Sequence, residues 1–343
     1  MSRPPNLKEF YLEELEQLLK GWGHSPYRAR QLVKWLYKGV TGFEEMTDIS
    51  RSFRQELAER ARISRITLAG RQQDSDGTEK FLFRLNDGQA IESVLIPEAD
   101  RLTLCLSTQV GCAQGCAFCL TAQKGFVRNL KAAEILDQIL AVQTLLPPGR
   151  RLTNLVFMGM GEPLANFPAL VRALKIITAP WGLSFSPRRV TVATAGLAPL
   201  IPRLGQEAPA NLTVSLNAPD DATRSLLMPL NRRYPLKTLL EACRAFPLAS
   251  HRRITFTYVL LAGINDSPQQ ARSLALLLKG FRPKINLIPL NPHPRLPFSA
   301  PSLERTLEFQ QILQQAHYSV FIRESRGQNI AAACGQLVGE MEV

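Results

Sequence analysis

Six short apolar runs, at 102–107, 155–158, 190–194, 212–216, 254–261 and 285–290, alternate with stretches of helical periodicity. The helical patterns lie around 131–145, 167–177, 236–246 and 268–278. Apolar runs of this length suit strands buried on both faces, and an intervening helix supplies the crossover that parallel pairing needs. The alternation predicts an α/β fold, a parallel sheet with helices outside, curled into an open, partial β/α barrel. Chemistry in such folds sits at the C-terminal strand ends, on the loops leading into the helices.

The loop after the first run is Gly111-Cys112-Ala113-Gln114-Gly115-Cys116-Ala117-Phe118-Cys119. Its three cysteines are one donor short of the four that structural zinc takes, and no nearby pair completes the set. Three thiolates on a four-iron cube instead leave one iron open to a ligand. Three buried cysteines, or a zinc knuckle borrowing a distant donor, are the alternatives. After the second run comes Met158-Gly159-Met160-Gly161-Glu162-Pro163. Its glycines, Gly161 among them, let backbone approach a ligand, and Glu162 can accept a hydrogen bond from an ammonium. A glycine turn with an incidental glutamate would look the same. Ser215-Leu216-Asn217 ends the fourth run and Asn291 follows the sixth, placing short polar groups at the barrel mouth. Taken singly, each is as consistent with a turn.

Three further cysteines lie outside the loop. Cys105 is in the first run, Cys243 falls in a helical pattern as core, and Cys334 sits in a small-residue stretch near the end. Spectator roles for Cys105 and Cys334 remain open on position alone. Six cysteines without a disulfide-rich composition point to metal or redox chemistry in a reducing compartment.

Before the barrel, the first 62 residues read as helices. Leu12, Leu15, Leu18 and Leu19 form one stripe, and Leu32, Val33, Leu36 and Tyr37 another. Ser25-Pro26 reads as the cap and first residue of the second helix, and Thr47-Asp48 as the cap of a third carrying Ile49, Phe53 and Leu57. Arg28, Arg30, Lys34 and Lys38 make a basic surface, either a nucleic-acid contact or a solvated face. Between 63 and 97 the period changes to two, and Asp76-Gly77 and Asp87-Gly88 signal hairpin turns. Glu92 lies in the last of these strands, where a glutamate ordinarily faces water. The expected division is a helical module over 1–62, a β-hairpin linker over 63–97, the core over 98–328 and a C-terminal loop over 329–343. Net charge is +12, which suits a polyanionic partner. The charged start lacks the apolar core of a signal peptide, and no window approaches the roughly 18 apolar residues of a membrane span. A cytoplasmic protein with no membrane association is expected.

The cysteine loop, with Phe118 just before its last cysteine, resembles the signature of radical S-adenosylmethionine (SAM) enzymes. Further stretches make the resemblance specific: Pro26–Gln31, Phe43–Thr47, Gln109–Cys112, Thr121–Gln123, 158–164, 285–289 and 332–337. Together they resemble the radical SAM RNA adenine methyltransferases of the RlmN/Cfr family, and the C2-methylating RlmN type most. The N-terminal module and the proline after Gly161-Glu162 favour that type over the C8-methylating relatives.

The resemblance implies a [4Fe-4S] cluster on Cys112, Cys116 and Cys119, with SAM on the open iron and touching Gly161, Glu162, Ser215, Leu216, Asn217 and Asn291. It implies two SAM per turnover. One methylates Cys334 on sulfur; the other, after one-electron reduction, yields a 5′-deoxyadenosyl radical that takes a hydrogen from that methyl. The resulting carbon radical adds to adenine. Loss of the base proton to Glu92 and attack of Cys105 on the Cys334 sulfur then release the product and leave a transient disulfide. The implied partners are 23S rRNA and tRNA (the adenosine beside the anticodon), an external electron donor and a thiol reductant, acting on a monomer. Two positions depart from the family pattern: Ala193 replaces a serine, and Asn217 a histidine. Asparagine still offers donor and acceptor, while alanine offers only backbone. Against this stand a C8-methylating enzyme and a non-catalytic, zinc-stabilised RNA-binding protein.

Overall fold

The computed structural model describes residues 4–249 and 252–340. Three helices open the chain, α1 (Leu12–Gly21), α2 (Tyr27–Leu36) and α3 (Arg51–Arg60). Leu15 and Leu19 meet Leu32, Val33 and Leu36, and Phe53 and Leu57 close the cluster, so the module has a core of its own. Each fully buried leucine there contributes about 1.5–3 kcal/mol. Ser25 Oγ accepts the Tyr27 N–H at 3.4 Å, but the cap of α2 is Pro26, one residue later than the sequence suggests. The third helix starts later than its sequence suggests. It begins at Arg51 behind Ser50, and Asp48 instead accepts the indole N–H of Trp35.

A ten-stranded sheet carries the rest. The strands β1 (Thr67–Gln73), β2 (Glu79–Arg84), β3 (Ala90–Glu98) and β4 (Arg101–Cys105) form an antiparallel meander. Its turns fall at Gly77 and Gly88, both at positive φ. β3 runs through Pro97 and pairs with β4, so the meander extends the same sheet. A separate ribbon, β5 (Gln109–Gly111) with β6 (Phe126–Asn129), brackets the cysteine loop. From β4 the order continues in parallel through β7 (Asn154–Phe157), β8 (Val190–Thr194), β9 (Asn211–Ser215), β10 (Thr255–Leu260), β11 (Lys284–Pro289) and β12 (Ser319–Ile322). Among the described residues no ladder joins β12 back to β4, and the barrel is open as expected.

The crossovers are α4 (Leu120–Gln123), α5 (Ala132–Leu145), α6 (Phe167–Thr178), α7 (Leu200–Glu207), α8 (Asp221–Leu227), α9 (Leu236–Arg244), α10 (Pro268–Leu277) and α11 (Leu303–Gln315). Besides the β5–β6 ribbon and α4, four elements go beyond the sequence reading. Pro202 and Gly205 disguise α7, α8 is only seven residues, and exposed Leu303 and Leu307 blur the stripe of α11. β12 is a four-residue edge strand with Phe321 exposed. α5 is buried on nearly every side because the N-terminal module packs over it. There Lys8 Nζ reaches Asp137 Oδ1 at 2.6 Å, and Ser64 Oγ donates to Asp137 Oδ2 at 2.7 Å. The next residue, Gln138, binds Ser93 and both backbone groups of Ser107, tying α5 to the strand end that feeds the cysteine loop. Among the described residues, no helix is long and apolar enough to cross a membrane.

Candidate active site

The cysteine loop leaves the barrel at the C-terminal end of β4. Gly111 closes the ribbon at φ 72°; a Cβ there would lie 1.8 Å from the Gly125 carbonyl oxygen, so the close approach requires glycine. Ala117 N–H donates to Leu227 O at 2.9 Å, resting the loop on the end of α8. Leu120 N–H donates to Gly335 O at 2.7 Å, joining it to the C-terminal segment.

These contacts build an open cleft at the barrel mouth. Cys112, Cys116, Cys119, Gly161, Glu162, Ser215, Asn217, Asn291 and Cys334 all line it, and so does Ala193. Leu216 does not. Its side chain is in the core, its N–H donates to Thr257 O, and its carbonyl accepts from Arg224. Cys105 and Glu92 lie behind the wall.

Burial raises all three loop thiols, Cys112 to about 12, and for Cys116 the neighbouring Cys119 and Cys112 add to it. Metal ligation must therefore displace protons. A tetrahedral zinc site needs four protein donors, and the loop supplies three. Three soft thiols spread around one open cleft fit a thiolate-bound iron–sulfur cluster.

Glu162 is pushed up to about 7 by burial, against hydrogen bonds from Ala195, Thr194 and Leu164 that favour its charge. Oε1 accepts from Thr194 Oγ1 at 2.8 Å and Leu164 N at 3.0 Å, and Oε2 from Ala195 N at 2.7 Å. A carboxylate has about four acceptor sites, so one on Oε2 remains for an ammonium. Gly161, at φ 100°, lets this turn lie against Gln109, where a Cβ would come within 2.5 Å. Asn217 sits at φ 60°; its Oδ1 accepts from Val259 N at 2.8 Å and its Nδ2 points to Met228 Sδ at 3.1 Å. Both ends of this amide are engaged, Oδ1 with β10 and Nδ2 with Met228 at the end of α8.

Cys334 is accessible through the cleft, yet protein crowds it, and burial followed by the nearby Cys119 raises its thiol. Cys105 is raised as well, by burial first and then by Cys334, which places these two sulfurs within electrostatic reach. Cys105 stands opposite Val94 on β3 and Val156 on β7. Glu92 does not face water. It is fully buried, Oε2 accepts the N–H groups of Val338 and Gly339 at 2.7 and 2.8 Å, and Lys80 Nζ lies 3.4 Å from Oε1. Desolvation raises its carboxyl, opposed by Gly339 and Lys80. The tail after Cys334 is also gripped by Thr121 Oγ1 and Lys124 Nζ, which donate to Leu337 O and Val338 O. At its base, Asp74 accepts from both nitrogens of Asn329 and Asp76 from Gly327 N.

One buried group beside the site escaped the sequence reading. Arg224 of α8 is fully buried and donates to Leu216 O, Asn231 Oδ1, Ala195 O and Ser215 O. In sequence it follows Asp220-Asp221-Ala222-Thr223 and looks like a solvated helix charge. Outside the cleft, Arg30 and Lys34 are exposed on α2 and Lys38 just after it, while Arg28 packs over Phe53.

Residues 5–63 match the family described as the ribosomal RNA large subunit methyltransferase N-terminal domain, and residues 106–275 the radical SAM superfamily. A protein of Syntrophobacter fumaroxidans called dual-specificity RNA methyltransferase RlmN is 52% identical over 338 residues, covering 98% of this chain and 99% of its own. The protein of that name from Geobacter sulfurreducens is 51% identical, covering 98% and 93%. The crystal structure of a radical SAM methyltransferase from Sphaerobacter thermophilus superposes with a TM-score of 0.93 at 46% identity, covering 98% of this chain and all of that one.

Proposed function

The chain belongs to the RlmN family of radical SAM RNA methyltransferases, and from that premise we propose that it methylates C2 of adenosine in 23S rRNA and in tRNA beside the anticodon. The observation that carries the reading is the convergence of Cys112, Cys116, Cys119, Glu162 and Cys334, from three distant stretches, on one cleft. A [4Fe-4S] cluster with SAM would supply, when bound, one-electron chemistry at a carbon that ordinary methyl transfer cannot alkylate. Cys112, Cys116 and Cys119 would hold it, and Glu162, with its remaining acceptor site, would receive the SAM ammonium.

The remaining work falls to side chains of this protein. Cys334 carries the methyl group on sulfur, and Glu92 accepts the C2 proton; a buried carboxyl with a raised pKa is a stronger base than an exposed one. Val338 and Gly339 cap Glu92 Oε2, which leaves Oε1, 3.4 Å from Lys80 Nζ, as the oxygen to take that proton. Cys105 then attacks the Cys334 sulfur: a sulfur–sulfur bond forms, the sulfur–carbon bond to the product breaks as the carbon takes up a proton, the one surplus electron returns to the external electron carrier, and two equivalents of external thiol restore both cysteines. Two SAM are consumed, one as methyl source and one as radical source. Residues 1–62 add phosphate contacts through Arg30, Lys34 and Lys38, and the enzyme acts in the cytoplasm as a monomer.

Nucleoside mapping of rRNA and tRNA from a strain lacking the gene tests the reading. Loss of 2-methyladenosine from both RNAs supports it, loss from one narrows the substrate, and loss of 8-methyladenosine would assign the C8 reaction instead.

A further inference from the structure

Arg224 is the unexplained charge in this molecule. Among the described residues three cations are buried: Lys8, Lys80 and Arg224. Lys8 has Asp137 and Lys80 has Glu92, whereas no carboxylate lies within ion-pair distance of Arg224. Its acceptors are neutral: Leu216 O at 3.0 Å, Ser215 O at 3.0 Å, Ala195 O at 2.7 Å and Asn231 Oδ1 at 2.9 Å. The nearest acid in this network is Asp221, on the exposed side, and it reaches the arginine only through the Asn231 amide. Burying a cation without an anion costs several kcal/mol, so a group that removes the cost when bound is expected close by.

The placement says which. Ala195 and Ser215 both line the cleft, and the carbonyls that Arg224 binds are those at the ends of β8 and β9. The cysteine loop rests on the other side, through Ala117 N–H to Leu227 O, and Cys116 packs against Leu227 and Met228. Cys116 is also the largest charge influence on the arginine, which burial holds at about 10. A guanidinium fork suits both tasks at once, since its five donors splay to several carbonyls while its charge is permanent.

We infer that Arg224 is a positioning residue with two roles: it sets the β8 and β9 ends that receive SAM, and it is the buried counter-cation beside the Cys116 thiolate of the cysteine loop. The inference rests on the cluster reading above. Cluster potentials respond to net charge and hydrogen bonding around the sulfurs. A fixed cation beneath Cys116 stabilises the more negative, reduced state and raises the potential.

The test uses the full chain, reconstituted without oxygen, as wild type, Arg224→Lys and Arg224→Met, with circular dichroism to confirm the fold. The readouts are the midpoint potential of the cluster and the dissociation constant for SAM. Arg224→Lys keeps the charge but not the fork, so the potential stays near wild type while SAM binds about tenfold more weakly, the equivalent of a lost hydrogen bond. Arg224→Met loses both, and its potential moves negative as well. A folded Arg224→Met protein with the wild-type potential overturns the counter-cation role. If that variant does not fold, Arg224→Lys decides: a potential displaced from wild type overturns the charge role, and unchanged SAM affinity overturns the positioning role. Wild-type protein that assembles no cluster would contradict the cofactor reading itself, an outcome separate from either.

Discussion

The N-terminal module and the C-terminal segment both dock on the barrel, by opposite means. The module brings its own apolar core and a buried ion pair, Lys8 with Asp137, reinforced by Ser64. The segment from Gly327 to Glu340 adds few apolar side chains, chiefly Ala332, Ala333 and Leu337. It is held by its backbone N–H groups, at Gly327 and Asn329 by two aspartates and at Val338 and Gly339 by Glu92. Apolar packing with a desolvated ion pair makes a permanent joint. Hydrogen bonds worth about 1 kcal/mol each net make one that can open and close. The segment that carries Cys334 needs the second kind, because that sulfur has to meet a methyl donor, a base and Cys105 in turn.

The largest effect should come from breaking the permanent joint. Lys8→Met leaves Asp137 buried and uncompensated, and should cost about 3–5 kcal/mol in urea unfolding. Adding Asp137→Leu should recover much of that loss, as replacement of a whole buried pair is often near neutral. No recovery would mean the joint depends on packing around Lys8 rather than on the pair.

The releasable joint should respond differently. Asp74→Ala removes the acceptor for Asn329, and alkylation of Cys334 should speed up several-fold with little change in the global unfolding midpoint. Acid gives the same effect with a defined sign. Hydrogen bonds from Asn329, chiefly its side chain, hold the Asp74 carboxyl below its ordinary value. Its contribution is therefore present above the unfolded pKa and lost as pH falls through the lower folded one. Tail protection, read by hydrogen exchange at Asn329, should decline below about pH 4 in wild type and be flat in Asp74→Ala.

The smallest effect belongs to Glu14→Gln. The Glu14–Arg172 pair also joins the module to α6, but both side chains are about a third exposed. Its loss should cost under about 1 kcal/mol and less again in high salt. A larger cost would make this surface pair part of the permanent joint.

Much of this was legible before the structure. The βα alternation gave six of the seven parallel strands, because strands buried on both faces leave unbroken apolar runs. β12 escaped, being a short edge strand. The cysteine loop, Glu162 and Asn291 were legible as loop residues at strand ends. Glu92 was legible only through the family resemblance, since a glutamate among apolar strand residues reads as solvent-facing until the tail and Lys80 are seen to cover it. Arg224 hid behind two aspartates in a seven-residue helix. Leu216 shows the converse: adjacency to Ser215 and Asn217 drew it into the site reading, while strand alternation turned its side chain into the core. Asn217 lies between these cases, lining the cleft with its amide already committed to Val259 and Met228.

The division of labour between Cys334 and Cys105 can be read from covalent protein–RNA complexes. Cys105→Ala should stop the reaction after carbon–carbon bond formation and accumulate RNA joined to Cys334, visible as a denaturant-resistant, nuclease-sensitive band. Cys334→Ala should form no band, having no methyl to carry, and the double variant should match it because the earlier step masks the later one. A covalent band in the Cys334→Ala protein would contradict the mechanism, since the bond to RNA would then arise at another residue.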